Sequence, residues 1–170
     1  SDYEARQIFV LSDHNSRTHC LPLIATFSCL KEAQHINIPA GDEHKNLETL
    51  SVVWSSLSRK GGTRKSLLIN LGGGMLSDLG GFAAACFKRG IDFINIPTTL
   101  LACVDAALGG KTGINFEGLK NEIGAFYLGS RDHSMLDRGS SPHSSTMVGT
   151  ISSQPMAIMW TPWTPGMVLR

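Results

Sequence analysis

The 170 residues read as an α/β protein: a Rossmann-like parallel sheet with helices on both faces. Three observations predict this. Short apolar runs of strand length recur at residues 7–12, 35–38, 66–71 and 91–96. Helix-length stretches separate them, the clearest over 46–60. The third run passes directly into Gly72-Gly73-Gly74 and then a further helical stretch. Strands alternating with helices are the signature of βαβ units, whose crossovers cover both faces of a parallel sheet.

Each element has its own reason. QIFVLS at 7–12 is nearly all apolar, as a strand buried on both faces must be. Residues 18–31 have mixed helical character, with Pro22 near the start, where its missing N–H costs nothing. A second strand at 35–38 ends in the turn Pro39-Ala40-Gly41-Asp42. The helix over 46–60 puts Leu47, Leu50, Val53, Trp54 and Leu57 on one face, and Gly61-Gly62 stops it. SLLINL at 66–71 is a buried strand, and 76–88 is a helix rich in Gly and Ala. IDFINI at 91–96 is the fourth strand, broken by Pro97. Thr98-Thr99 open a helix to about residue 108, and Gly109-Gly110-Lys111 reads as a loop.

Composition excludes several function classes. Hydrophobic residues make up 42%, enough for a core, and charged residues only 17%. Fifteen Lys and Arg against fourteen Asp and Glu leave a net charge of +1, which argues against nucleic acid as a partner. No run of 18 apolar residues predicts a membrane span, and no secretory signal pattern opens the chain. Four cysteines at 20, 29, 86 and 103 form no C-x-x-C pair. Cys86 and Cys103 lie in apolar runs and are expected as buried thiols in a reducing, cytoplasmic setting. The chain changes character near Tyr127. Residues 1–127 hold all seven Lys and all six Glu, whereas 128–170 hold five of the six Met and two of the three Trp. The expected division is a domain over 1–127 and an irregular tail over 128–170.

The chemistry gathers after the strands. SLLINLGGGMLSDLGGF runs a strand into glycines and a helix start, where free N–H groups can meet a phosphate. Ser77 stands where the G-x-G-x-x-G fingerprint has its last glycine. Asp78 suits either the helix dipole or a ligand hydroxyl. Asp13 and Asn15 follow the first strand, where open sheets bind ligands and where turn chemistry also places such residues. Thr98 and Thr99 suit a helix cap or a cofactor contact. Lys111 follows a Gly-Gly turn and can reach a phosphate as a point charge.

GGGMLSDLGGFAAACFKRGIDFINIPTTLLACVDAALGGKTGINFEGLKNEIGAF closely resembles the 3-dehydroquinate synthases. The matching motifs are GGG-x-x-x-D, R-G, PTTLL-x-x-V-D, GGKTG-x-N and KN-x-IGAF, unbroken from about residue 67 to 127. Upstream, PAGDEHK and LSDHN look like the family's P-x-GE-x-x-K and D-x-N segments. The resemblance implies a lyase of the shikimate pathway of aromatic amino acid biosynthesis. It would convert 3-deoxy-arabino-heptulosonate 7-phosphate to 3-dehydroquinate and phosphate, with NAD and a divalent metal, zinc or cobalt. It also implies a small sugar-acid phosphate as partner and a homodimer.

Carried over by motif, Asp13 and Asn15 would face the adenosine half of NAD. Asp42, where the family has Glu, would bind ribose with Lys45. Gly73, Gly74 and Met75 would approach the pyrophosphate, and Asp78 the nicotinamide side. Thr98, Thr99 and Lys120 would line the same cofactor site. Arg89, Asp105, Lys111 and Asn121 would contact substrate, with Lys111 at its phosphate end. Leu119 replaces a common Gly. The family's metal ligands, one Glu and two His, belong to a helical C-terminal domain whose motifs are not found here. No Glu follows Glu122, and His133 and His143 stand ten apart in Ser/Pro-rich sequence, so no metal ligand is assigned. The sharp end of the match suggests an out-of-frame tail and a chain without turnover. A non-catalytic NAD-binding module and another sugar-phosphate cyclase are the competing readings.

Overall fold

The computed structural model describes residues 7–107 and 110–126. Its centre is a four-stranded, all-parallel sheet in the order β2-β1-β3-β4. The strands are β1 (Ile8–Asp13), β2 (Gln34–Ile38), β3 (Leu67–Gly72) and β4 (Asp92–Pro97). β1 and β3 are central, and apart from Asp13 every residue of both is buried. Their unbroken apolar runs therefore reflect cover on both faces.

The chain leaves β1 toward β2 on one side, then returns across the sheet to β3 and β4 on the other. That reversal sends the connections to opposite faces. The segment with α1 (His14–His19) and α2 (Leu21–Ile24) packs Cys20, Ile24 and Leu30 against Ile8, Val10, Ile69 and Leu71. On the other face α3 (Leu47–Arg59) and α4 (Gly74–Cys86) pack Leu50, Val53, Leu57, Leu76 and Leu79 against Phe9, Leu11 and Leu68. The predicted fold class is thus present, with helices on both faces.

α4 is a middle layer. Its residues Leu76, Ser77, Leu79, Gly80, Gly81, Phe82, Ala83 and Ala84 are all buried. A side chain at Gly80 would strike the Asn70 amide, which rises from β3 and donates to Asn95 Oδ1 at 2.9 Å. A side chain at Gly81 would strike Thr112 on the opposite side. Small residues let the helix lie between two sheets.

The second sheet is an antiparallel hairpin of β5 (Lys111–Phe116) and β6 (Leu119–Phe126). Glu117 and Gly118 form its two-residue turn with φ of +47° and +79°, the left-handed pair that matches the strand twist. Gly113 lies directly opposite Gly124, and Ile114 is fully buried in the core beneath.

Several expectations are corrected here. The helix expected over 18–31 is broken into short pieces, because Pro22 starts one at Leu21 and Phe27 is extended at φ −68°, ψ 131°. The helix expected from Thr98 is short and closes in a π-helical turn over Ala102–Ala106. Lys111, read as a loop residue, begins β5. Cys86 is exposed at the end of α4, Cys103 is half-buried and Cys20 is buried. The tail over 128–170, with His133 and His143, lies outside the described residues. No helix among the described residues is long and apolar enough to cross a membrane.

Candidate functional site

β1 and β3 are the neighbours from which the chain departs in opposite directions, so the crevice lies beyond their carboxyl ends. Open α/β sheets bind ligands there. Gly72-Gly73-Gly74 occupies that point, and Gly73 caps α4 without a side-chain hydrogen bond. The first amides of a thirteen-residue helix are therefore left for a ligand. A Cβ on Gly73 would lie 3.2 Å from Thr99 Cγ2, and one on Gly74 would lie 3.3 Å from the Ala106 methyl. The turn is thus roofed by the segment that follows β4. Thr98 N–H donates to Gly72 O at 2.9 Å, and Thr99 Oγ1 accepts from Ala102 N–H at 3.2 Å. Both threonines border the glycine turn, and Thr99 also caps, as either reading of its sequence allowed.

At the end of β1, Asp13 is committed to a capping box. Its Oδ1 accepts from Ser16 N–H at 2.7 Å, and Ser16 Oγ accepts from Asp13 N–H at 3.0 Å. Asn15 is exposed on the first turn of α1.

Asp78, Asp105, Lys111 and Asn121 line one cavity of about 590 Å³ between α4, the Ala102–Ala106 turn and the hairpin. Three elements distant in sequence thus bring together four of the residues picked out by motif. Asp78 reaches it from the second turn of α4. Burial raises the Asp78 carboxyl above the ordinary range, and the Lys45 ammonium beside it works against that rise.

Lys45 is the buried hub. Only 4% of it is exposed. Its Nζ lies 2.5 Å from Asp78 Oδ2 and also donates to Asn121 Oδ1. Its backbone carbonyl accepts from Asn115 N–H at 2.8 Å. Asn121 sits at φ +54°, a conformation Asn tolerates, and its N–H donates to Asn115 Oδ1 at 3.0 Å.

Asp42 and Lys120 lie apart from this cavity, on a second one of about 450 Å³. They form a 3.1 Å ion pair. The Lys120 hydrogen bond holds the Asp42 carboxyl below the usual carboxylate range.

Arg89 is not brought to either group. It precedes β4, at the amino-terminal end of the sheet. The glycine turn lies at the other end of the strands, about 20 Å away at roughly 3.3 Å per residue. Asn115 was missed by the sequence reading. Its Nδ2 donates to Asp42 O at 3.2 Å, so it joins Asp42, Lys45 and Asn121. The signal was present as the last residue of the GGKTG-x-N motif.

Among the described residues no three His, Cys, Asp or Glu side chains converge. This part of the chain does not fit a divalent metal. The uncapped glycine turn does fit a pyrophosphate.

A family model described as 3-dehydroquinate synthase N-terminal matches residues 35–137. The 3-dehydroquinate synthase of Parabacteroides distasonis is 54% identical over 71% of this chain and 34% of its own length. That of Pyrococcus furiosus is 46% identical over 72% of this chain and 36% of its own. The chain therefore spans about a third of the length of these relatives. Among solved structures, 2-deoxy-scyllo-inosose synthase, complexed with carbaglucose-6-phosphate, NAD+ and Co2+, is 28% identical with a TM-score of 0.65. The match covers 74% of this chain and 36% of that one. The 2-epi-5-epi-valiolone synthase of Streptomyces hygroscopicus, with NAD+ and Zn2+ bound, is also 28% identical. Its TM-score is 0.66 over 81% of this chain and 35% of that one. The parallel sheet, the glycine turn at its switch point and the match over 35–137 place this chain in the 3-dehydroquinate synthase N-terminal family.

Proposed function

We propose that this chain carries the NAD-binding and substrate-facing part of a 3-dehydroquinate synthase, a carbon–oxygen lyase acting on 3-deoxy-arabino-heptulosonate 7-phosphate. One observation carries the reading. Asp78, Asp105, Lys111 and Asn121 line one cavity, and Asp78 belongs to the same helix whose uncapped start meets the glycine turn. A pyrophosphate at Gly73, Gly74 and Met75 and a sugar phosphate in the cavity would then be neighbours.

When bound, NAD would supply a hydride acceptor for one carbinol of the substrate and return the hydride later in the same turnover. The chain's own residues hold and polarise. The amides of Gly73, Gly74 and Met75 face the pyrophosphate, and Thr98 and Thr99 close over it. Asp13 and Asn15 stand at the adenosine side, and Asp42 with Lys120 at a ribose. Lys111 supplies a positive charge and Asn121 an amide donor to the anionic end of the substrate, which favours departure of phosphate by stabilising the charge it carries away. Asp105 faces the same cavity and is placed for a substrate hydroxyl. Lys45 is engaged by Asp78 and Asn121, so its part is support. Arg89, a strand length away, is left out of this set. No step is derived through a metal, because the described residues supply no donor set for one.

Calorimetric titration of NAD into the 170-residue chain tests the cofactor reading, and saturable binding is expected. A phosphate-release assay with the heptulosonate phosphate, NAD and zinc tests the rest. Turnover is expected once the remaining length found in the relatives is supplied, and not from the 170 residues alone. No heat at millimolar NAD would overturn the cofactor reading and with it the non-catalytic NAD module. A completed enzyme that released phosphate from another sugar phosphate in preference would point to a different cyclase.

A further inference from the structure

Two features of Lys45 go beyond a contact to a ribose. Its ammonium is buried, and it is shared between α4 and β6, two elements that meet at the cavity. An ammonium has only donors, so the Asn121 side chain must turn its oxygen to Lys45. The NH2 group is then what Asn121 has left for the cavity it lines. We propose that Lys45 is a positioning residue that ties β6 to α4 through Asp78 and fixes the Asn121 amide as a hydrogen-bond donor toward the cavity. An anionic ligand is matched by that donor and repelled by the opposite sense of the amide.

The Asn121 backbone supports the same reading. Its left-handed φ of +54° is held by Asn115, whose own N–H is bonded to the Lys45 carbonyl. The main chain of Lys45 therefore holds Asn115 and its side chain holds Asn121, two hairpin residues that are themselves hydrogen-bonded to each other.

The inference rests on the proposed function only for the ligand that Asn121 would meet; its test needs no ligand. Hydrogen exchange of the 170-residue chain is compared for wild type, Lys45→Met, Asn121→Gly and the two combined. Asn121→Gly keeps the positive φ and deletes the amide. Lys45→Met is expected to speed exchange of residues 119–126 at least about tenfold, while β1 and β3 change little, as for local opening of one unit. Asn121→Gly is expected to produce part of the same effect, and the combination no more than Lys45→Met alone. Uniform acceleration across sheet and hairpin would overturn the proposal, since that is general destabilisation.

A second variant removes the stranded charge. In Lys45→Met/Asp78→Asn no carboxylate is left unpaired, and fast exchange in 119–126 is still expected. Recovery of wild-type protection there would show that Lys45 only neutralises Asp78. If Lys45→Met fails to fold, Lys45→Gln keeps a hydrogen-bond donor to Asp78 and Asn121. Protection of 119–126 within about threefold of wild type in Lys45→Gln supports the tie, and loss as large as a global opening overturns it. NAD titration of the same proteins reads the functional proposal separately.

Discussion

Gly124→Ala puts the hairpin's architecture at risk through one methyl group. Gly124 faces Gly113 across the strands, and a Cβ at 124 would fall on the backbone carbonyl of Thr112. β5 cannot recede, because Thr112 already fills the space left by Gly81 of α4. β6 must move out instead. That movement breaks the 2.8 Å bond from Thr112 Oγ1 to Ala125 O and the neighbouring ladder bonds. Two or three hydrogen bonds at about 1 kcal/mol each give a loss of about 2–3 kcal/mol. For a domain of this size that lowers Tm by about 8–12 °C. Gly118→Ala is the control. It meets nothing within 4 Å but has φ +79°, so only the left-handed strain of about 1–2 kcal/mol applies. Scanning calorimetry with hydrogen exchange decides. A Tm for Gly124→Ala within a degree of wild type, with protected amides in 111–126, would refute the reasoning.

Two smaller predictions follow from the site's periphery. Asp13→Ala removes the capping box of α1 and is expected to cost about 1 kcal/mol, read by urea denaturation; no change would mean that α1 is held by packing alone. Lys120→Ala removes the main influence depressing Asp42. The Asp42 midpoint, followed by NMR, should rise toward the ordinary value. A carboxylate depressed in the folded state adds stability above its unfolded pKa and loses it as pH falls through its folded pKa. The difference between wild type and Lys120→Ala should therefore be present at neutral pH and vanish at strongly acidic pH. It should stay under about 1 kcal/mol, because Asp42 is half exposed. A difference that grew on acidification would contradict the assignment.

Much of the fold was legible because burial writes itself into composition. β1, β3 and β4 stand out as apolar runs, and α3 shows its buried face at helical spacing. α4 was visible as a helix, yet its many small residues had no explanation until the hairpin was seen to lie on it. The hairpin itself was not legible. β6 is exposed at nearly every position, and a cross-strand pair of glycines interrupts any alternation. Lys45 was picked out by motif but its burial was not legible, and Asn115 was missed altogether. A sequence shows a lysine in a polar loop and an asparagine after an isoleucine, and nothing local says that folding buries the lysine and bonds its carbonyl to Asn115. The four cavity residues were found by motif. Arg89 belonged to the same motif string but lies at the far end of the strands.

The central claim is that the Gly72-Gly73-Gly74 turn receives a dinucleotide pyrophosphate. NAD titration of wild type against Gly73→Ala tests it most directly. The added methyl would lie 3.2 Å from the exposed Thr99 side chain, which can give way. Stability should change by less than about 1 kcal/mol, while NAD affinity falls at least about tenfold because the backbone can no longer approach the phosphates. Equal NAD affinity in two equally folded proteins would contradict the account.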